Sequence, residues 1–432
     1  MSRAAVIAVL ARAFLAGEPA DTAVLARAQR ALGRSWPWLA PLVARYFAAF
    51  AGRTRPRHRD AVRFLRQDAP FHRALKQHGL RINIVEWVPE PQRTQPAPAA
   101  RTWALPKIET MADLADWLCL SVPELEWFAD LKELGNKLRR PQLEHYRYRL
   151  LPKRSGGVRL VEMPRPWLKA LQRRILSGIL DHVPLHAAAH GFAKGRSIVT
   201  FAAPHVGRPA LLRLDLEDFF PSFCGARVQA FFRTLGYPET VADLLGGICT
   251  NAAPRELAAR CGDAQDLYRR PHLPQGAPAS PALANLMAYR LDCRLAGLAQ
   301  SAGATYTRYA DDLAFSGGDV LRRRAQSFAA HSSAIALEEG FSVNHRKTRV
   351  MHQGVRQQLA GIVVNAKISV PRCDIKSLEA ILTNCARFGP ASQNRAGRSD
   401  FCSHLEGRVG FIEMVDQTWG RYLRRLFDAI SW

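Results

Sequence analysis

Through the first 85 residues apolar positions recur at helical spacing among Ala, Leu and Arg, and the pattern predicts a mostly helical region over 1–88. The stretch 89–102, which contains PEPQRTQPAPAA, has few large apolar residues and reads as a Pro-rich linker. From Trp103 the pattern changes. Thr110 to Leu120 and Val122 to Leu134 predict two short helices, each with a Thr or Ser cap. Tyr146 to Glu162 alternates and is split by Ser155-Gly156-Gly157, the pattern of a β-hairpin. Trp167 to Val183 is an amphipathic helix carrying Lys169, Arg173 and Arg174, and Asp374 to Trp432 reads as several further helices.

Composition narrows the partners. The chain has 432 residues, 48% of them hydrophobic, enough for two to four lobes around sizeable cores. Lys and Arg number 61 against 37 Asp and Glu, a net charge of +24. That surplus points to a polyanion, most simply nucleic acid, with an anionic lipid surface as the plainer rival. It argues against an enzyme of small neutral metabolites. The first 100 residues hold 16 Lys/Arg against 6 Asp/Glu. Their densest cluster, Arg53, Arg55, Arg57 and Arg59 around His58, is either a solvated loop or a phosphate-binding patch. The eight cysteines show no C-x-x-C spacing, which disfavours a zinc ribbon. No export signal and no uncharged apolar run of about 18 residues is present, so the expectation is a cytoplasmic protein with reduced thiols and no membrane span.

Three segments carry candidate chemistry. In LLRLDLEDFFPSF (211–223) an apolar strand ends at Asp215 and is followed by Phe219 and Phe220. In LPQGAPASPALAN (273–285) a Pro/Gly loop leads to Ser280-Pro281, which fits a helix start. In TYTRYADDLAFS (305–316) two β-rich arms flank Tyr309-Ala310-Asp311-Asp312, which places the acids at a hairpin tip. Carboxylates at strand ends suit hard divalent cations, which phosphoryl transfer to a hydroxyl uses in pairs roughly 4 Å apart. Asp215 and Asp311 would bind two Mg²⁺ ions, with Mn²⁺ as a substitute, and Asp312 would add charge beside them.

The YADD, LDLEDFF and LPQGAPASP boxes, in this order, resemble the catalytic palm of reverse transcriptases, and the bacterial retron-type branch fits best. The resemblance covers about 105–432. It implies an α+β right-hand polymerase with an extra helical N-terminal region: fingers over 103–210, palm over 211–365 and a helical thumb over 366–432. It also implies roles for single residues. The hairpin 153–159 resembles the loop that closes over an incoming dNTP, with Arg159 and Lys153 on the triphosphate; an ordinary basic hairpin is the plainer alternative. Phe220, five residues after Asp215, resembles the aromatic steric gate against a 2′-hydroxyl, while Phe219 reads as core. Gln275 resembles the residue that contacts the nascent pair. Lys347 resembles the lysine that protonates leaving pyrophosphate; otherwise it is a surface lysine.

His190-Gly191-Phe192 and Gly195-Arg196-Ser197-Ile198 resemble the HGF and GRSI segments of retron-type enzymes. His205 keeps part of an Asn-Ala-x-x-His element, and Gly361 and Asn365 keep part of a region that contacts the cognate RNA. The family therefore implies RNA contacts at His205, Gly361 and Asn365. His205 could equally be a satisfied, half-buried histidine. The implied partners are dNTPs, a cognate non-coding RNA and the RNA–DNA duplex, with a host RNase H removing template; an accessory effector protein is compatible with this. The implied activity is retron-type reverse transcription of a structured RNA into short RNA-linked DNA (msDNA) in antiphage defence. The alternatives are another defence-associated reverse transcriptase with a different template or priming mode, and a catalytically idle RNA-binding scaffold. Clustered Asp215, Asp311 and Asp312 argue against the scaffold, because RNA binding needs no acids.

Overall fold

The computed structural model describes residues 2–51, 56–78, 81–88, 90–134, 144–153 and 156–432. The chain divides into two compact units, Met1–Val183 with Phe223–Leu283, and Pro184–Ser222 with Ala284–Trp432.

The first unit opens with five helices, α1 (Arg3–Leu15), α2 (Asp21–Ala31), α3 (Leu39–Phe50), α4 (His58–Gln67) and α5 (Ala69–His78). Leu10, Phe14, Val24, Leu39, Leu42, Leu65 and Phe71 come from the apolar stripes of these helices and form one core. The Asp68 carboxylate ties two elements together. It accepts from Arg45 on α3 at 2.7 and 2.8 Å and from the Phe71 backbone N–H at 2.7 Å.

The expected linker is not free. Gly17 N–H donates to Pro91 O at 2.8 Å, Thr94 N–H to Glu109 Oε1 at 3.1 Å and Gln95 N–H to Gly236 O at 2.8 Å. Gly236 has φ +102°, and a Cβ there would lie 2.3 Å from Pro96 N, so only glycine permits this docking. The Pro-rich composition lowered the helix and strand signal, but its N–H groups found partners in other elements. The N-terminal helices fall in the first unit together with this segment.

Helices Met111–Leu118 and Val122–Ala129 follow, started by capping boxes at Thr110 and Ser121 as their sequences predict. Strands β1 (Tyr146–Pro152) and β2 (Val158–Pro164) pair antiparallel, Leu151 opposite Arg159. Leu160 of β2 packs with Ala253, Ala258 and Tyr268, which is why 223–283 groups with the hairpin and not with the later strands.

The second unit is built on an antiparallel sheet: β3 (Ala210–Glu217), β4 (Thr305–Tyr309), β5 (Asp312–Gly317), β6 (Ser342–Val343) and β7 (Arg349–His352), in the order β4-β5-β3-β6, with β7 also on β3. Leu211, Leu212, Leu214 and Leu216 of β3 are all buried, the near-continuous apolar run of a central strand. Phe201 and Ala202 pack with Leu211 and Ala314, so residues 184–210 group with this sheet and not with the expected fingers segment. Two short strands, β8 (Gln358–Leu359) and β9 (Ile362–Val363), are joined by a turn in which Ala360 and Gly361 both have positive φ. Helices Arg372–Phe388, Phe401–Val415 and Gln417–Asp428 close the chain around their own core of Leu378, Leu382, Leu405, Val409 and Leu423.

Candidate active site

Pairing of β3 with β5 sets Asp215 directly opposite Asp312, and facing residues on an antiparallel pair project from the same face. Asp311 lies in the two-residue turn between β4 and β5, after Ala310, whose φ is +55°. The turn is tied down by Leu216 N–H, which donates to Asp311 O at 2.9 Å. Burial, then the negative charges of Asp312 and Asp215, push the Asp311 carboxyl up to about 6. The Asp312 carboxyl is also raised, chiefly by burial, against the pull of Arg213. Arg213 holds a single Asp312 oxygen through Nε at 2.9 Å and Nη2 at 2.7 Å. Lys347 Nζ donates to both oxygens of Asp215, at 3.0 and 3.2 Å. Lys347, an exposed side chain, is thus paired with Asp215.

Phe220 is partly exposed, with its ring 6.2 Å from that of Phe192 and 5.7 Å from that of Phe219. Phe219 is buried against Phe341, as a core residue. Phe192 was not singled out from the sequence. It is half exposed, has φ +55° and also faces Tyr309 at 6.2 Å.

Lys153, Arg159 and Gln275 belong to the first unit. Arg159 stands exposed on β2. Lys153 closes the hairpin loop through its backbone N–H to Gly157 O at 3.0 Å. Residues 154–155 lie outside the described residues. Gln275 O accepts from Glu162 N–H of β2 at 3.0 Å, and a Cβ on Gly276 would lie 2.7 Å from Glu162 O, so the LPQG loop is seated on the hairpin. Glu162 below it is fully buried and bonded to His272 Nε2 and Asn251 Nδ2, each at 2.8 Å.

Three residues expected at RNA have intramolecular partners. His205 is fully buried, with Nδ1 on Ser316 Oγ and Nε2 on Thr307 Oγ1, both at 2.7 Å. Burial, foremost, pulls its imidazole down to about 3, so it is neutral and works inside the core. Asn365 uses its whole amide on backbone: Oδ1 accepts from Gln357 N–H, and Nδ2 donates to Gln353 O and Val355 O. Arg57 donates to Glu239 at 2.8 Å and to Asp243 at 3.1 and 3.2 Å, so acids of the same unit already neutralise it. Gly361 is an exposed turn residue and Arg59 is an exposed side chain. Arg53 and Arg55 lie outside the described residues.

The oxygen donors of Asp215, Asp311 and Asp312 fit hard divalent cations. Among the described residues no three Asp, Glu, His or Cys side chains already form a cage. Sequence reading also missed Arg213 and Arg308. Arg213 sits on β3 two residues before Asp215, and Arg308 on β4 three residues before Asp311 in the turn that follows.

A central antiparallel sheet with facing acids at its strand ends defines a polymerase palm, and the family model "Reverse transcriptase (RNA-dependent DNA polymerase)" matches residues 151–364. The chain is 42% identical to the Retron Mx65 reverse transcriptase of Myxococcus xanthus, over 75% of this chain and 72% of that protein. It is 38% identical to the Retron Mx162 reverse transcriptase of the same organism, over 77% and 69%. Among solved structures, telomerase from Candida albicans with a fragment of telomeric RNA aligns over 69% of this chain and 58% of its own, at 10% identity and TM-score 0.38. The chain belongs to the retron reverse transcriptases. It is an RNA-directed DNA polymerase of right-hand fold with a helical N-terminal region, and it binds template RNA. Reverse transcriptases use divalent metal ions. Among the described residues no helix is long and apolar enough to cross a membrane.

Proposed function

We propose that this reverse transcriptase copies a cognate structured non-coding RNA into short RNA-linked DNA in antiphage defence, using Mg²⁺ at Asp215, Asp311 and Asp312. What carries this reading is the facing pair Asp215 and Asp312 with Asp311 in the adjoining turn, in a chain 42% identical to a retron enzyme. Bound Mg²⁺ supplies activation of the attacking hydroxyl and neutralisation of the triphosphate. Arg159, helped by Lys153, holds triphosphate oxygens through charge-assisted hydrogen bonds. Gln275 positions the nascent pair. Phe220 excludes the 2′-hydroxyl of a ribonucleotide. Lys347, already an ammonium donor at Asp215, delivers a proton to the leaving pyrophosphate. The C-terminal helices grip the RNA–DNA duplex, and a host RNase H removes the template.

The test is DNA synthesis on the RNA that co-purifies with the protein, identified by sequencing. Wild type is expected to give Mg²⁺-dependent DNA whose gel mobility rises on ribonuclease treatment, showing an RNA link. Asp215→Ala and Asp311→Ala are expected to lose at least about 10³-fold in rate. Near-normal synthesis in either folded variant would sink the site assignment. DNA with no attached RNA would instead favour another template or priming mode.

A further inference from the structure

Arg308 on β4 is fully buried, yet it touches no substrate group in the roles above. Its guanidinium is locked by the buried Asp292, Nε to Oδ1 and Nη2 to Oδ2, both at 2.7 Å. Tyr306 OH donates to the same Asp292 Oδ1 at 2.8 Å. The remaining nitrogen points the other way. Nη1 donates to Asn285 Oδ1 at 2.9 Å and to Ala310 O at 3.2 Å. Ala310 is the left-handed residue that starts the catalytic turn, and a non-glycine residue keeps that conformation only where its surroundings over-determine it.

Asn285 extends the lock to a second segment. Its Nδ2 donates to Gly191 O at 2.6 Å. A Cβ on Gly191 would lie 2.6 Å from Ala310 N, so the 190–192 backbone lies directly against the turn. Arg308 also joins this segment by backbone, donating to Ala188 O at 2.7 Å and accepting from His190 N–H at 2.8 Å. A buried ion pair adds little net stability over apolar packing of the same volume. What the pair adds here is a fixed direction for one carbonyl and one amide.

We propose that Arg308 is a positioning residue for the catalytic turn. Held by Asp292, it fixes Ala310 O directly and Gly191 through Asn285, and so keeps the Asp311 carboxylate beside those of Asp312 and Asp215. The inference rests on reading those carboxylates as the cation site, so Asp311→Asn is measured alongside. The guanidinium fork matters here: a lysine keeps the charge near Asp292 but cannot serve Asp292, Asn285 and Ala310 together.

The test uses the full-length protein and Mn²⁺ as probe, with binding followed by electron paramagnetic resonance. Arg308→Lys is expected to bind Mn²⁺ about tenfold or more weakly, the size of effect seen when a ligand loses its support. Its kcat is expected to fall about 10²-fold, as for a misplacement near 1 Å, with KM for dNTP changed much less. Leu382→Ala, a cavity variant in the C-terminal helical core, supplies a comparison of equal or larger loss in melting temperature and is expected to keep wild-type Mn²⁺ affinity. If Arg308→Lys melts lower yet keeps wild-type Mn²⁺ affinity and kcat, while Asp311→Asn loses both, the inference is overturned and the site reading stands. If Asp311→Asn also keeps both, the site reading itself fails. Should Arg308→Lys not fold, Asn285→Ala decides, because it leaves the Arg308–Asp292 pair intact. Several-fold weaker Mn²⁺ binding supports the lock, and unchanged binding overturns it.

Discussion

In the sheet that carries the acids, two arginines have fixed acceptors: Arg308 is fully buried on Asp292, and the part-buried Arg213 is bonded to Asp312. On α4 the arginines face outward, whereas Arg27 of α2 is buried and donates to Ala13 O and Glu18 O. Arg59, Arg63 and Arg66 are exposed on α4, while Ala61 and Leu65 on its opposite side enter the core. The same residue type thus does two jobs. A buried guanidinium with fixed acceptors sets geometry to fractions of an ångström. An exposed one supplies charge to a mobile polyanion and tolerates imprecision. Substitutions inside the sheet should therefore change chemistry and selectivity, whereas those on α4 should change affinity and its salt dependence.

The largest effect on selectivity is expected at Phe220. Phe220→Ala should reduce the dCTP-to-CTP ratio of incorporation efficiency by about ten- to a hundredfold, the range for removing one steric contact, while dNTP incorporation persists. Phe219→Ala should lower stability by about 3 kcal/mol through a core cavity and leave the ratio alone. A ratio that collapses in Phe219→Ala and not in Phe220→Ala would move the gate by one residue.

A smaller effect separates core from surface at His205. Its imidazole titrates near 6.5 when unfolded and is pulled down to about 3 by burial in the fold. Above pH 6.5 both states are neutral and the fold keeps its full stability. Between about 6.5 and 3 only the unfolded chain takes up this proton, so stability falls as pH falls, by up to about 1.4 kcal/mol per pH unit. His205→Gln should flatten that slope relative to wild type in urea titrations at pH 7, 6 and 5. RNA affinity should not change. A lost RNA affinity in a stable His205→Gln protein would return this residue to the RNA surface.

The two regions were unequally legible in sequence. The hairpin tip at Ala310-Asp311 could be read because alternation on both arms and a short polar break are local signals. That Phe219 is core, and Phe220 is not, followed from the family resemblance rather than from a local signal. The pairing of Asp215 with Asp312 could not, since β3 and β5 are almost 100 residues apart and register between them is a tertiary matter. Arg308 looked like one more basic residue in a basic chain. Its burial depends on Asp292, which is brought to it by packing of the helix Tyr289–Ser301 against β4. Asn365 and His205 carried family likeness but no local sign that Gln357 and Ser316 would occupy their polar atoms. The Pro-rich segment misled because composition reports what a stretch cannot form, not what it will rest on.

The smallest effect concerns the N-terminal arginines, where charge alone cannot rank them. Arg57 and Arg59 are two residues apart, but Arg57 is bonded to Glu239 and Asp243 while the Arg59 side chain is largely exposed, with Asp60 at 3.9 Å. Arg63 and Arg66 follow Arg59 at helical spacings of four and three, which puts all three on one face of α4. A row of this kind meets phosphates through released counter-ions, so each lost contact lowers the slope of log affinity against log salt by about 0.7–0.9. Replacing Arg59, Arg63 and Arg66 together by Gln should reduce that slope by up to about two units and leave the melting temperature within error. Arg57→Gln should do the reverse: an unchanged slope, and about 1–2 kcal/mol less stability because Glu239 loses its side-chain partner and Asp243 is left with Arg233 alone. Primer extension at saturating template–primer should persist in both, since Asp215, Asp311 and Arg159 are untouched. RNA affinity across a salt series, with thermal melting of the same samples, decides the matter. A slope that drops in Arg57→Gln and holds in the triple variant would place the phosphate contact at the 53–57 segment and leave the α4 row as a solvated face.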